Sequence, residues 1–282
     1  MIWVMWRVLH KTGVITGWLT CGLLISLLLV PPAGGVAGDE ELPPAGELLN
    51  RPLPNHAYAA GEVLNYRISW SGIPAGHASM AVSEERGEGD DPVTVFTSVT
   101  RSNKTVSVFY KVRDRVVSRI NAETGAPFLI EIDQRHGRRK RIRTTSFDQQ
   151  AQQATTFQTN RDPVTVDTPP AVQDILSVLY YLRTLPELKP GHTEVLDVHE
   201  GKKNWRLLVK TIGKGRIKTP AGRFDTVQVK AEVRFKGVFF DRGDVRIWFT
   251  DDVRHVPVKI AIKIRIGKVL VELKSQTIPP LS

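Results

Sequence analysis

The chain has 282 residues, 41% of them hydrophobic and 24% charged, with a formal net charge of +10 and one cysteine. About 240 residues beyond an N-terminal leader suffice for one large β-rich domain or two small ones. A lone cysteine excludes a disulfide framework, and the basic excess raises the question of an anionic partner, whose nature depends on where the protein resides.

The N-terminus speaks to that. Arg7 and Lys11 precede an apolar run from Val14 to Val30, small residues follow from Ala33 to Gly38, and Asp39, Glu40 and Glu41 end it. This is the order of a secretory signal peptide over 1–38, cleaved near Ala37 or Gly38. An uncleaved membrane anchor is the alternative, because the run approaches the roughly 18 residues that span a bilayer. Thr20 stands before Cys21 where lipid-attachment signals carry Gly, Ala or Ser, so the pattern does not favour lipidation. Cleavage would remove Cys21, and with it thiolate catalysis and zinc–thiolate sites. It would lower the net charge only from +10 to +8, because Arg7 and Lys11 are the charged residues lost. The expected location is the periplasm, where the polyanions are lipid headgroups and acidic envelope polymers.

Residues 39–58, with Pro43, Pro44, Pro52 and Pro54, read as an extended linker. A single β-rich domain is expected over 59–276, with a tail at 277–282. "EVLNYRISW" alternates apolar and polar positions as a half-buried strand does, "SGIPAG" turns, and "HASMAVSEE" and "VTVFTSVTRS" continue the series. "TVSVFYKVRDRVVSRI" predicts one long strand, "FLIEIDQR" another. In "RHGRRKRIRTTSFD" the dipeptide His-Gly turns the chain. Alternation then sends Arg139, Arg141 and Arg143 to one face and Lys140, Ile142 and Thr144 to the other. A strand polar on both faces is expected at a sheet edge, where basic side chains discourage further pairing, or against an anionic partner. "QQATTFQTN" and "DPVTVDT" complete eight short strands.

One helix is expected over about 171–185, with Thr168 as N-cap, Pro169 in the first turn and Pro186 as the stop. Its apolar face, Val172, Ile175, Leu176, Leu179, Leu182 and Leu185, is broad and needs covering. Strands then resume from "TEVLDVHEG" to "KVLVELKS". The fold class is therefore mainly β or α+β: a long curved antiparallel sheet, an incomplete barrel, wrapped around the central helix.

Three separated blocks, "GEVLNYRISWSGIPAGHASMAV", "QDILSVLYYLR" and "DVRIWFTDDVRHVPVKI", occur in that order. Together, over about Ala57 to Lys274, they make the chain resemble the bacterial exported proteins of the domain-of-unknown-function 3108 family. The resemblance implies an exported β-rich protein and carries no catalytic residues with it. The inferred shape is also similar to the curved half-barrels of periplasmic lipoprotein carriers, which enclose an apolar cavity; that likeness concerns the fold.

For chemistry, Asp251 and Asp252, with His255 nearby, are the acid–base candidates for an envelope hydrolase. Adjacent residues on a strand point to opposite faces, so turn chemistry is the competing reading. "SWSGIPAG" is flanked by strands, not by the strand and helix that a nucleophile elbow requires. No H-x-H or H-E-x-x-H pair and no phosphate-binding loop motif occurs, so neither metal nor cofactor is expected. Arg138, Arg139, Arg141 and Arg143 are candidates for contact with an anion, and no aromatic interleaves them, which argues against single-stranded nucleic acid. Trp70, Tyr180 and Trp248 are candidates for lining an apolar cavity. Val238, Phe239 and Phe240 form a candidate interface with a membrane or partner. The expected function is binding of an amphipathic or anionic, lipid-like envelope molecule or an envelope protein, without catalysis; a structural role in an envelope assembly is the third reading.

Overall fold

The computed structural model describes residues 36–37, 55–235, 238–239, 245–264 and 267–280. The expected signal segment and the start of the Pro-rich linker thus lie outside the described residues, apart from the backbone of β1 (Val36–Ala37). Sixteen described strands form one antiparallel sheet.

Its first half is a meander in which each strand pairs with the next: β2 (Val63–Trp70), β3 (Ile73–Arg86), β4 (Pro92–Ser102), β5 (Val112–Asn121), β6 (Pro127–His136), β7 (Arg139–Asp148), β8 (Gln153–Gln158) and β9 (Arg161–Asp167). The second half is β10 (Thr193–Glu200), β11 (Lys203–Thr219), β12 (Gly222–Phe235), β13 (Val238–Phe239), β14 (Val245–Thr250), β15 (Pro257–Lys263) and β16 (Lys268–Thr277). There β10 pairs with β11, β11 with β12, and β12 with β14, which leads through β15 to β16. The halves join where β16 pairs with β2, with Val271 opposite Ile68. Alternation does the work locally: Leu64, Tyr66 and Ile68 of β2 are buried, as are Ala78, Met80 and Val82 of β3.

The sheet is open: β9 is one end, and beyond β12 it branches to β10 through β11 and to β1 through β13. Side chains cross the seam between the β9 and β10 ends. Asn204 Nδ2 donates to the Asp167 carbonyl at 2.7 Å, Thr156 Oγ1 to the Gly201 carbonyl at 2.6 Å, and the Arg143 guanidinium pairs with Glu200.

Two helices depart from the sequence expectation. α1 (Lys104–Phe109) occupies the first part of the predicted long strand, and β5 begins only at Val112. Asn103 is the reason: its Oδ1 accepts from Val106 N at 2.8 Å, capping the helix, while its Nδ2 donates to the Pro74 carbonyl. α2 (Ser177–Thr184) is shorter than the predicted helix over 171–185. Ala171 has φ 53°, and Gln173 bridges β10 instead, accepting from His199 N and donating to the Asp197 carbonyl. Thr168 is not the cap: the helix starts from Leu176, and Asp174 in the turn before it accepts from the backbone of Leu176 and Ser177 at 2.7 and 2.8 Å. Residues Ser177 to Arg183 are all buried.

The basic strand is also placed differently. β7 is paired on both sides, to β6 and β8, so it is not the edge that its polar sequence suggested. Its Arg143, Thr145 and Phe147 join the buried side of the sheet, next to Ile132 and Ile130 of β6 and Thr156 of β8.

Candidate functional site

A cleft of about 230 Å³ opens at the seam, lined by Arg143, Gln158, Arg161, Glu200, Lys203 and Trp205 among others. β7, β8 and the start of β9 form one wall, and the β10–β11 hairpin forms the other.

Arg143 is its centre. The side chain is nine-tenths buried, one arm is held by Glu200, and its Nε has no hydrogen-bond partner among the described residues. A buried, unsatisfied guanidinium donor is costly unless something accepts from it. Gly201 makes the approach possible. Its φ is 68°, and a Cβ there would stand 2.8 Å from Arg143 Nη1. Lys203 Nζ lies 5.7 Å from the Trp205 ring centroid, and Arg161 and Lys202 are exposed at the mouth. Behind the cleft, His199 Nδ1 meets Asn204 Oδ1 at 2.7 Å, and Phe147 packs edge-on against the imidazole. Burial pushes the His199 pKa below its ordinary value, against the opposing pull of Asn204.

Further along the same inner face, His136 Nε2 contacts both oxygens of Asp114 at 2.8 and 2.9 Å, with both residues buried. Arg139 stands opposite His136, and Arg141 opposite Gln134. Of the four expected anion contacts, therefore, Arg143 reaches the cleft, Arg141 is half-buried, and Arg138 and Arg139 are exposed at the β6–β7 turn. Glu200, Gly201 and Lys203 escaped the sequence reading. "HEGKKN" signals only a hairpin, and nothing local says that Glu200 will meet an arginine 57 residues away.

Tyr180 is buried in the core, its ring stacked on Phe96 with centroids 3.7 Å apart and Tyr58 edge-on to both. It fills space there instead of facing an open volume. Trp70 and Trp248 are half-buried, and the Lys259 ammonium lies 5.6 Å from the Trp248 centroid. Asp251 and Asp252 are exposed in the β14–β15 turn. Asp251 pairs with Lys214 at 2.9 Å, while Asp252 Oδ1 accepts from Thr250 Oγ1 and the backbone of Arg254 and His255. The His255 ring points away from both, buried with Nδ1 3.1 Å from the Arg183 carbonyl. These groups do the work of a turn and do not converge on a cleft. Val238 and Phe239 contribute backbone to β13; Phe240 and the side chains of all three lie outside the described residues.

Among the described residues no helix is long and apolar enough to cross a membrane. The family described as "Protein of unknown function (DUF3108)" matches residues 65–274, well over half of the chain, and the chain belongs to that family. No curated protein matches the sequence. Among solved structures, a beta-barrel-like protein of the DUF1849 domain from Brucella abortus is 11% identical, covering 79% of this chain and all of its own, with a TM-score of 0.53. It shows a shared fold. A presumed exported protein with a YmcC-like fold from Bacteroides fragilis is 11% identical at a TM-score of 0.37, covering 78% of this chain and 97% of its own. A presumed lipoprotein from Parabacteroides distasonis is 10% identical at 0.35, with the same coverages.

Proposed function

We propose that this member of the DUF3108 family is an exported, periplasmic, non-enzymatic protein that holds the anionic end of an amphipathic envelope molecule in the seam cleft. Arg143 is the observation that carries the reading: a guanidinium buried on the inner face of a barrel-like sheet, clamped by one carboxylate, with a donor left over. Arg161, Lys202 and Lys203 outnumber Asp162 around the mouth, and the positive excess draws anions in and favours their retention. The cleft's 230 Å³ suits a phosphate or carboxylate headgroup better than a whole lipid. The order of the N-terminal residues supports export. We read the sheet as folded around α2, whose burial and ring stacking fill the interior, so that the ligand's polar end is the part the protein recognises. With Asp251 and Asp252 facing solvent and turn amides, the geometry favours binding over hydrolysis.

The test is calorimetric titration of the exported protein with inorganic phosphate and with dihexanoyl phosphatidylglycerol. Arg143→Met is expected to weaken binding by about 10- to 100-fold, the worth of one charged hydrogen bond. Arg143→Lys should fall between, keeping the charge but losing the fork. Neither probe binding, or Arg143→Met binding like the parent, refutes the proposal.

A further inference from the structure

The turns of an antiparallel sheet alternate between its two ends, and in the meander from β2 to β7 the charged turns also alternate in sign. One end carries the turns at 87–91, 122–126 and 251–256, with exposed Glu88, Asp90, Asp91, Glu123, Asp251 and Asp252, and also the β11–β12 hairpin tip, whose exposed Lys214, Lys218 and Arg223 make that end mixed in charge. The other carries the β2–β3 turn, the α1 connection, the β6–β7 turn and the mouth of the seam cleft. There Lys104, Lys111, Arg138 and Lys140 are exposed, and none has an acidic ion-pair partner among the described residues.

The basic end also holds an apolar prong. Val108 and Phe109 of α1 are 79% and 59% exposed, and Ile73 at the start of β3 is 40% exposed. α1 is fixed in place on both sides. Asn103 binds the backbone of Pro74 and Ala75 beside Ile73, and Lys111 O accepts from Gly137 N at 2.7 Å beside the basic turn. Consecutive exposed valine and phenylalanine on a pinned one-turn helix, flanked by unpaired cations, place apolar groups and positive charge on one outward face.

We infer that this end of the sheet docks on an anionic lipid surface, with Val108 and Phe109 entering the headgroup layer and the lysines and arginines meeting phosphates. Two independent contributions converge on this occupant. Buried apolar side chains supply partitioning, and each basic residue near an anionic membrane adds attraction. The apolar prong and the cations around it fix the orientation, and the cleft mouth then opens toward the headgroups. The docking face is separate from the cleft and does not need Arg143.

The experiment is co-sedimentation of the exported protein with vesicles of phosphatidylglycerol and phosphatidylcholine, and of phosphatidylcholine alone, at about 0.1 M salt. The expected result is preference for the anionic vesicles, weakened by salt and reduced about tenfold by Val108→Ser with Phe109→Ser. Val253→Ser, an exposed apolar residue at the opposite end, should change nothing. The serine variant should still bind inorganic phosphate as the parent does, so loss of docking is distinguishable from loss of the cleft. No preference for anionic vesicles, or equal sedimentation of the serine variant and the parent, overturns the inference.

Discussion

Arg183 and Glu62 provide the sharpest test of how the interior is held. Both side chains are fully buried, and two 2.7 Å hydrogen bonds join the guanidinium to the two carboxylate oxygens. The same guanidinium donates to the Ala57 carbonyl at 2.9 Å and the Arg254 carbonyl at 3.2 Å, and lies 5.2 Å from the Tyr180 centroid. One side chain thus ties α2 to the segment before β2 and to the β14–β15 turn. Arg183→Met leaves a carboxylate buried without its counter-charge and two carbonyls without a donor, at a cost of about 3–5 kcal/mol. In a chain of this size that corresponds to a fall of roughly 10 °C in Tm. Glu62→Leu should cost a similar amount by stranding the guanidinium. The double substitution removes both charges together, so its cost should be well below the sum of the two. Urea denaturation followed by tryptophan fluorescence measures all four corners of the cycle. Additive costs, or a loss below about 1 kcal/mol in Arg183→Met, would refute the reasoning.

Two further predictions concern the cleft. Gly201→Ala places a methyl against Arg143 and forces a positive φ on alanine, so phosphate affinity should drop about tenfold in calorimetry while the fold persists. Because the pKa of folded His199 lies below its ordinary value of 6.5, the unfolded chain takes up a proton that the folded one refuses. Stability should therefore fall as pH drops below about 6.5, and His199→Gln should flatten that part of a Tm-versus-pH curve.

Much of the sheet was legible. Period-2 alternation placed β2, β4, β6 and β10 to within a few residues, because each strand's burial pattern is written in its own side chains. The misreadings share a cause. Residues 105–109 alternate well enough for a strand, yet Asn103 captures a helical turn by binding both Val106 N and the backbone of β3. Residues 172–174 carry helical periodicity, but the free edge of β10 takes Gln173. In both cases a hydrogen-bond partner distant in sequence outcompeted local preference.

The sequence alone determined that the chain forms many short antiparallel strands with one strongly apolar helical segment, that its basic residues cluster in particular turns, and which family it resembles. Those are properties of neighbouring residues. Tertiary structure decided that Arg143 leaves its exposed neighbours and becomes a buried guanidinium. Strand pairing puts β7 beside β8, and the Glu200–Gly201 turn crosses the seam to meet it. It also gathered Lys104, Lys111 and Arg138 at one end, because an antiparallel sheet sends alternate connections to the same side. A charge's environment is set by what packs against it, and here those partners arrive from tens of residues away.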